Sequence, residues 1–279
     1  MTPGITTCDT GLGTTYARWA LNRVLSDLQS RYEIKSVLEG PSDGMPGIAG
    51  INSLVLAQGG AQVTVVLPDQ PRVELAQRIY ATHGCQDHVT FHISPILKLF
   101  TPHPPFDLVW NFNVMPRLLT PGVILKEMVQ ASGRLVLIFV PNRANYASWL
   151  HMLRHRVARE EWADGQPALL AAKPWKRMLQ DQNLSVHEII PVGAPWRLGS
   201  VGLGQRLRDM LPFLSRRART EAERHYQWEA DNLPYFDPER YPEVHRRLER
   251  MALIERSHSR WLKTRFAHHV GILAEKRDS

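Results

Sequence analysis

Arg134 to Val140 reads RLVLIFV and is stopped by Pro141. An apolar run of that length, closed by a proline, is a strand rather than a helix. It does not stand alone. Ser36-Val37-Leu38-Glu39, Gln62 to Leu67 (QVTVVL), His88 to Ile93 and Phe106 to Phe112 (FDLVWNF) are strand candidates, as is Ser185 to Val192. Helix-length segments separate them: Ile51 to Gln58, Pro71 to His83 with its proline in the first turn, Pro121 to Gln130, and Pro174 to Gln182. Strands that alternate with helices predict a parallel α/β sheet with crossover helices.

Two segments fall outside this rhythm. Residues 15–31 place Trp19, Leu21, Val24, Leu25 and Leu28 on one helical stripe, which predicts an N-terminal helix. Residues 203–262 are Arg-rich and almost entirely helical in pattern, with a turn at Asn232 to Pro238. The strand pattern returns only at His268 to Glu275 (HHVGILAE). A chain of 279 residues therefore reads as one domain, 1–279. Its core is 34–195 and 266–276, and the helical insertion at 203–262 forms a cap or an oligomer surface, a homodimer being one outcome.

Composition narrows the function. Cys8 and Cys85 stand far apart with no CxxC, which excludes a disulfide framework and a thiolate zinc site. No apolar stretch approaches the roughly 18 residues of a spanning helix. The N-terminus, MTPGITTCDTGLGTT, has neither a basic region nor an apolar one, so a soluble cytoplasmic protein is expected. Charge is uneven. Residues 1–133 hold 9 Lys and Arg against 10 Asp and Glu, and residues 134–279 hold 25 against 17. The net +7 therefore arises in the second part, which would suit an anionic partner or an acidic membrane surface touched peripherally; a solvated mixed-charge face explains it as well.

The most informative stretch is VLEGPSDGMPGIAG. A strand ends in an acid, glycines let the chain turn tightly and a ligand come close, and a helix N-terminus follows. In an open α/β sheet that turn lies on the ligand-binding edge. Three other segments join it: Ile51 to Val66 (INSLVLAQGGAQVTVV), Phe106 to Met115 (FDLVWNFNVM), and Gly133 to Ile138 (GRLVLI). With the closing HHVGILAEK, their order and spacing resemble the class I S-adenosylmethionine-dependent methyltransferases. The resemblance implies a three-layer Rossmann-like sheet of about seven mostly parallel strands. It also implies S-adenosylmethionine bound near Glu39, Gly40, Ser42, Asp43, Gly44 and Gly47, and direct methyl transfer to a small molecule. Asn111 and Asn113, just at the end of a strand, would orient the cofactor. The ribose acid that the family carries at the end of the second strand is Leu67 here, with Asp69 two residues later as the substitute. Ser94-Pro95 stands where the family carries its next acid, and the glycine turn is about five residues longer than usual.

Other readings stay open. A methyltransferase-like fold without cofactor, acting as an interaction module through its basic region, is kept alive by Leu67 and Ser94-Pro95. An NAD enzyme ranks lower because the turn reads Gly44-x-x-Gly47-x-x-Gly50 rather than GxGxxG. Nucleic acid ranks last as a substrate, since no recognised binding or base-methylation motif occurs.

Candidates for substrate chemistry are few. His151 and His155, four apart in HMLRH, are the candidate general bases. No carboxylate stands between them as in a metalloprotease, so no metal is expected. Tyr16 lies in the N-terminal helix that covers the ligand in folds of this kind. Arg143 follows a strand end, and Trp228 and Tyr235 in the insertion would line an acceptor pocket beside Phe236. His268-His269 open a strand, where two neighbouring rings should point to opposite faces.

Overall fold

A computed structural model describes residues 5–42, 44–94, 105–146, 148, 165–195 and 226–277. The described chain begins with β1 (Cys8–Thr10), α1 (Gly11–Tyr32), β2 (Ser36–Glu39), α2 (Leu54–Gln58) and β3 (Gln62–Leu67). It continues through α3 (Gln70–Thr82), β4 (Val89–Ile93), β5 (Phe106–Phe112), α4 (Pro121–Ala131) and β6 (Ser132–Pro141). Then follow α5 (Ala172–Asp181), β7 (Leu184–Val192), β8 (Gln227–Glu229), α6 (Pro242–Met251), α7 (Arg260–Phe266) and β9 (His269–Lys276).

Seven strands form one sheet in the order β4-β3-β2-β5-β6-β9-β7. β9 runs antiparallel to both its neighbours, and β4, β3, β2, β5 and β6 are parallel. The fold is thus a mixed α/β sheet, mostly parallel, as the alternation of strands and helices predicted. Side chains leave each strand alternately: Val37 packs with α1, α2 and α3 on one face, and Leu38 packs with α4 and α5 on the other. Both faces are covered, so the central strands are apolar throughout, and Leu135 to Val140 are fully buried.

Local sequence sets the helix boundaries. Asp69 caps α3 by accepting a hydrogen bond from the Arg72 amide, and Pro71 sits in the first turn. Ser259 caps α7 in the same way. α1 starts at Gly11 and buries Tyr16, Trp19, Leu21, Leu25 and Leu28. The helix predicted from Ile51 begins only at Leu54, because Asn52 and Ser53 are held by the Glu39 carboxylate.

The segment read as helical, 203–262, is more mixed. Residues 203–225 lie outside the described residues, and β8 pairs antiparallel with β1 in a small two-stranded ribbon. Gln227-Trp228-Glu229 is too short for periodicity to reveal. Among the described residues no helix is long and apolar enough to cross a membrane.

Candidate functional site

The order of the sheet reverses between β2 and β5, and a crevice opens there beyond the carboxyl ends of the strands. The glycine turn after β2 forms one wall. Glu39, at the end of β2, is 1% exposed. Its Oε1 accepts from the Asn52 amide at 2.9 Å and its Oε2 from the Ser53 backbone at 2.9 Å. Burial raises its pKa, against the lowering effect of those hydrogen bonds and of Arg18. Glu39 therefore braces the turn through both of its oxygens.

Beneath the turn lies a buried ion pair. The Arg18 Nε donates to Asp9 Oδ2 at 2.9 Å, and neither side chain reaches solvent appreciably. Arg18 also donates to the Asn52 side-chain Oδ1 and to the Ile48 backbone carbonyl. Burial by itself would lower the Arg18 pKa, but Asp9, Tyr235 and Glu39 together raise it, so it stays charged. Asp9 accepts further bonds from the Ile48 amide at 2.7 Å and the Tyr235 hydroxyl at 2.6 Å. One carboxylate thus ties together β1, α1, the glycine turn and the segment after β8. Gly47, at φ +104°, faces it, and a Cβ there would overlap the carboxylate.

The opposite wall follows β5. A Cβ on Gly44 would overlap the Phe112 carbonyl oxygen, so the turn lies directly against the strand end. Arg117 donates to the Gly44 carbonyl at 2.8 Å, and the Asn113 amide approaches the same oxygen at 3.3 Å. Asn113 adopts φ +54°, which asparagine tolerates better than most residues. Its Oδ1 is buried with no hydrogen-bond partner. At the end of β3, Leu67 is fully buried and fills the space over Gly50, where a Cβ would come within 2.8 Å of it. Asp69 is committed to capping α3 and pairs with Arg72.

Beside the crevice is a cavity of about 320 Å³. Ala17 and Tyr16 of α1, Met45 and Pro46 of the turn, and Phe112 form its apolar side, and Val192, His268 and His269 close it. A wider hollow of about 600 Å³, between Ser26, Glu33, Lys35 and Gln58, lies near the amino end of β2, away from the ligand edge. His268 and His269 contribute to the same wall. The sequence reading set them on opposite faces, but β9 begins at His269, so strand alternation does not govern His268. The His269 ring packs on Phe112, centroids 4.6 Å apart. Burial, then His268 and Arg117, lower its pKa to about 3, so the ring is neutral at ordinary pH. Tyr16 is buried, and its hydroxyl has no hydrogen-bond partner. Burial and the nearby Glu255 carboxylate raise its pKa.

The residues singled out from the sequence fall into groups. Glu39, Gly40, Ser42, Gly44 and Gly47 lie at the end of β2 and along the turn after it, and Asn113 meets that turn at the Gly44 carbonyl. Ser42 is buried, its hydroxyl bonded to the Val66 carbonyl at 2.9 Å. Tyr16 reaches the cavity. Asn111 turns the other way, buried against Met128 on α4, its Nδ2 3.2 Å from the sulfur. Tyr235 is buried on Asp9 of β1, and the Trp228 indole donates to Thr15 Oγ1 of α1 at 2.8 Å, so the two tie β8 and the segment after it to the N-terminal elements. Arg143 stands exposed after β6. Asp43, His151 and His155 lie outside the described residues. Asp9, Arg18 and Asn52 escaped sequence reading. The only trace of Arg18 is an arginine on the apolar stripe of α1, one residue before Trp19.

No protein-family model and no curated protein matches the chain. Solved structures do. A putative sarcosine dimethylglycine methyltransferase from Galdieria sulphuraria superposes with a TM-score of 0.52 at 12% identity, covering 92% of this chain and 85% of that one. Magnesium protoporphyrin IX methyltransferase from Synechocystis PCC 6803, with bound S-adenosylhomocysteine, gives 0.51 at 14% identity over 65% and 79%. The cyclase SpnF gives 0.50 at 13% identity over 92% and 82%. Identities this low establish architecture and not chemistry, as the presence of a cyclase among them illustrates. With its sheet order and its glycine turn at the point where that order reverses, the chain has the fold of the class I S-adenosylmethionine-dependent methyltransferases.

Proposed function

We propose that the chain is an S-adenosylmethionine-dependent methyltransferase acting on a small molecule. The observation that carries this reading is the buried, unpartnered Oδ1 of Asn113, set against the glycine turn at the switch point of the sheet. A ligand ammonium, such as that of the methionine portion of the cofactor, would satisfy it. The neighbouring solved structure with bound S-adenosylhomocysteine supports the same choice of ligand.

When bound, the cofactor would supply an electrophilic methyl group whose bonding pair stays with the sulfur when an acceptor lone pair takes the carbon. The chain's own residues position and exclude water. Gly44 and Gly47 let the turn approach closely, Glu39 holds it through Asn52 and Ser53, and Arg117 pins it to β5. Asp69 would reach the ribose only by giving up its contact with Arg72. The cavity beside the turn would hold the acceptor, and His151 and His155 remain proposed bases for an acceptor that must lose a proton.

One observation favours a second reading, a binding module of the same fold. Leu67 is packed over Gly50 where the family carries its ribose acid, and Asp69 is already engaged. Calorimetric titration with S-adenosylmethionine, S-adenosylhomocysteine and NAD separates the two. Micromolar binding of the two sulfur ligands alone, weakened about tenfold by Asn113→Ala, is expected. A folded protein that binds none of the three ligands would overturn the methyltransferase reading and leave the second.

A further inference from the structure

We propose that the cavity between α1, the glycine turn and the start of β9 takes an uncharged, mainly apolar molecule bearing one hydrogen-bonding group, read by Tyr16 and His269. The proposal deepens the methyl-transfer reading by naming the acceptor class, and it rests on that reading only for the ligand's later fate.

Three observations converge. First, Ala17, Met45, Pro46, Phe112 and Val192 make most of the wall apolar, and about 320 Å³ is space for a small ring system. Second, the Tyr16 hydroxyl is buried and has no partner at hydrogen-bond distance, with the Glu255 carboxylate standing nearby, although nearly all buried polar groups are bonded. A ligand hydroxyl or carbonyl reaching it would supply what the chain withholds. Third, Tyr16 and His269 are both neutral. Burial and the nearby Glu255 carboxylate push the Tyr16 phenol up, and burial with His268 and Arg117 pushes His269 down to about 3.

The charged side chains nearby are engaged elsewhere within the chain. Glu255 accepts the Gly193 and Ala194 amides at 2.8 and 2.9 Å. Arg117 is bound to the Gly44 and Asn113 carbonyls. Arg23 lies over the Trp19 ring, 4.8 Å from its centroid. Arg256 pairs loosely with Glu249 at 3.8 Å. None of these groups lines the cavity, so a charged ligand entering it would lose water and meet no Asp, Glu, Lys or Arg on its wall. A neutral one loses little, and its single polar group finds the phenol and the imidazole.

The test uses the full chain without cofactor near neutral pH. Binding of the neutral fluorophore N-phenylnaphthylamine is followed by emission, then competed with naphthol, naphthoate and naphthylmethylammonium. The expected result is displacement by naphthol at least about tenfold more tightly than by either charged analogue. Tyr16→Phe should weaken naphthol about tenfold, with the circular dichroism spectrum retained. Ala17→Trp should fill the cavity and abolish fluorophore binding, with the circular dichroism spectrum retained. Failure of the fluorophore to bind, equal displacement by naphthoate, or an unaltered naphthol affinity in Tyr16→Phe overturns the proposal. Should Ala17→Trp not fold, the charge comparison and Tyr16→Phe still decide it. Calorimetry with the cofactor is a separate experiment: a failed cavity leaves cofactor binding standing, and failed cofactor binding leaves the cavity result standing.

Discussion

The carboxylate of Asp9 occupies the space that a side chain at Gly47 would need. The N-terminal ribbon and the glycine turn are therefore fitted to one another, and the fit runs through a buried charge. Gly47 adopts φ +104°, a conformation that suits glycine and strains other residues.

Gly47→Ala should be expensive for two reasons, backbone strain and overlap with Asp9. Together they predict a loss of about 2–4 kcal/mol of stability. Urea unfolding should show a lower midpoint at an unchanged slope. An unchanged midpoint would mean that the turn moves freely away from β1.

Removing one member of the buried ion pair should cost more than removing the hydroxyl that supports it. Asp9→Ala leaves the Arg18 guanidinium buried without its carboxylate, which predicts a loss of about 3–5 kcal/mol. Tyr235→Phe removes one hydrogen bond to a charged acceptor, about 1.5–3 kcal/mol. The double variant should lose less than the sum, because the Tyr235 bond has no acceptor once Asp9 is gone. Strict additivity in equilibrium unfolding would contradict the shared network.

Acid should weaken the fold through His269. Its folded pKa, about 3, lies below the ordinary value of 6.5, so between those limits the unfolded chain binds a proton that the native ring refuses. Stability is fully present above 6.5 and falls as the pH drops toward 3. His269→Gln should flatten that limb of a stability profile, leaving the part due to His83, which burial also lowers. An identical slope in the variant would show that His269 is solvated.

Gly44→Ala probes the cofactor reading from the other wall. The new methyl would overlap the Phe112 carbonyl oxygen and force the turn off β5, opening the contacts to Arg117 and Asn113. Binding of S-adenosylhomocysteine should fall by about 100-fold or more in calorimetry. Retained affinity would place the cofactor elsewhere.

The strands of the main sheet were legible because their chemistry is local. Phe106 to Phe112 has the boundaries that its composition indicates, and so does Gln62 to Leu67. The turn at Glu39 was legible too, since glycine, proline and an acid at a strand end have few other uses. What stayed hidden was pairing. Arg18 reads as one more base on a helix until Asp9, Asn52 and the Ile48 carbonyl surround it. The β1–β8 ribbon joins residues more than 200 positions apart, Cys8 opposite Glu229, through three residues a side. Trp228 and Tyr235 looked like ligand contacts because a polar aromatic can line a pocket or anchor a segment equally well. Their partners, Thr15 and Asp9, were not readable from the segment itself.

β9 lies inside the sheet, between β6 and β7, yet every residue from Asn142 to His268 precedes it in the chain. During synthesis the Leu135–Val140 edge, among the most apolar in the molecule, must wait for its antiparallel neighbour while that whole stretch is made. An unpaired apolar edge of this kind invites pairing with other chains. Losing Val270 to Ala274 would therefore strip no ornament from the rim but would divide the sheet in two, leaving β7 with no strand to join.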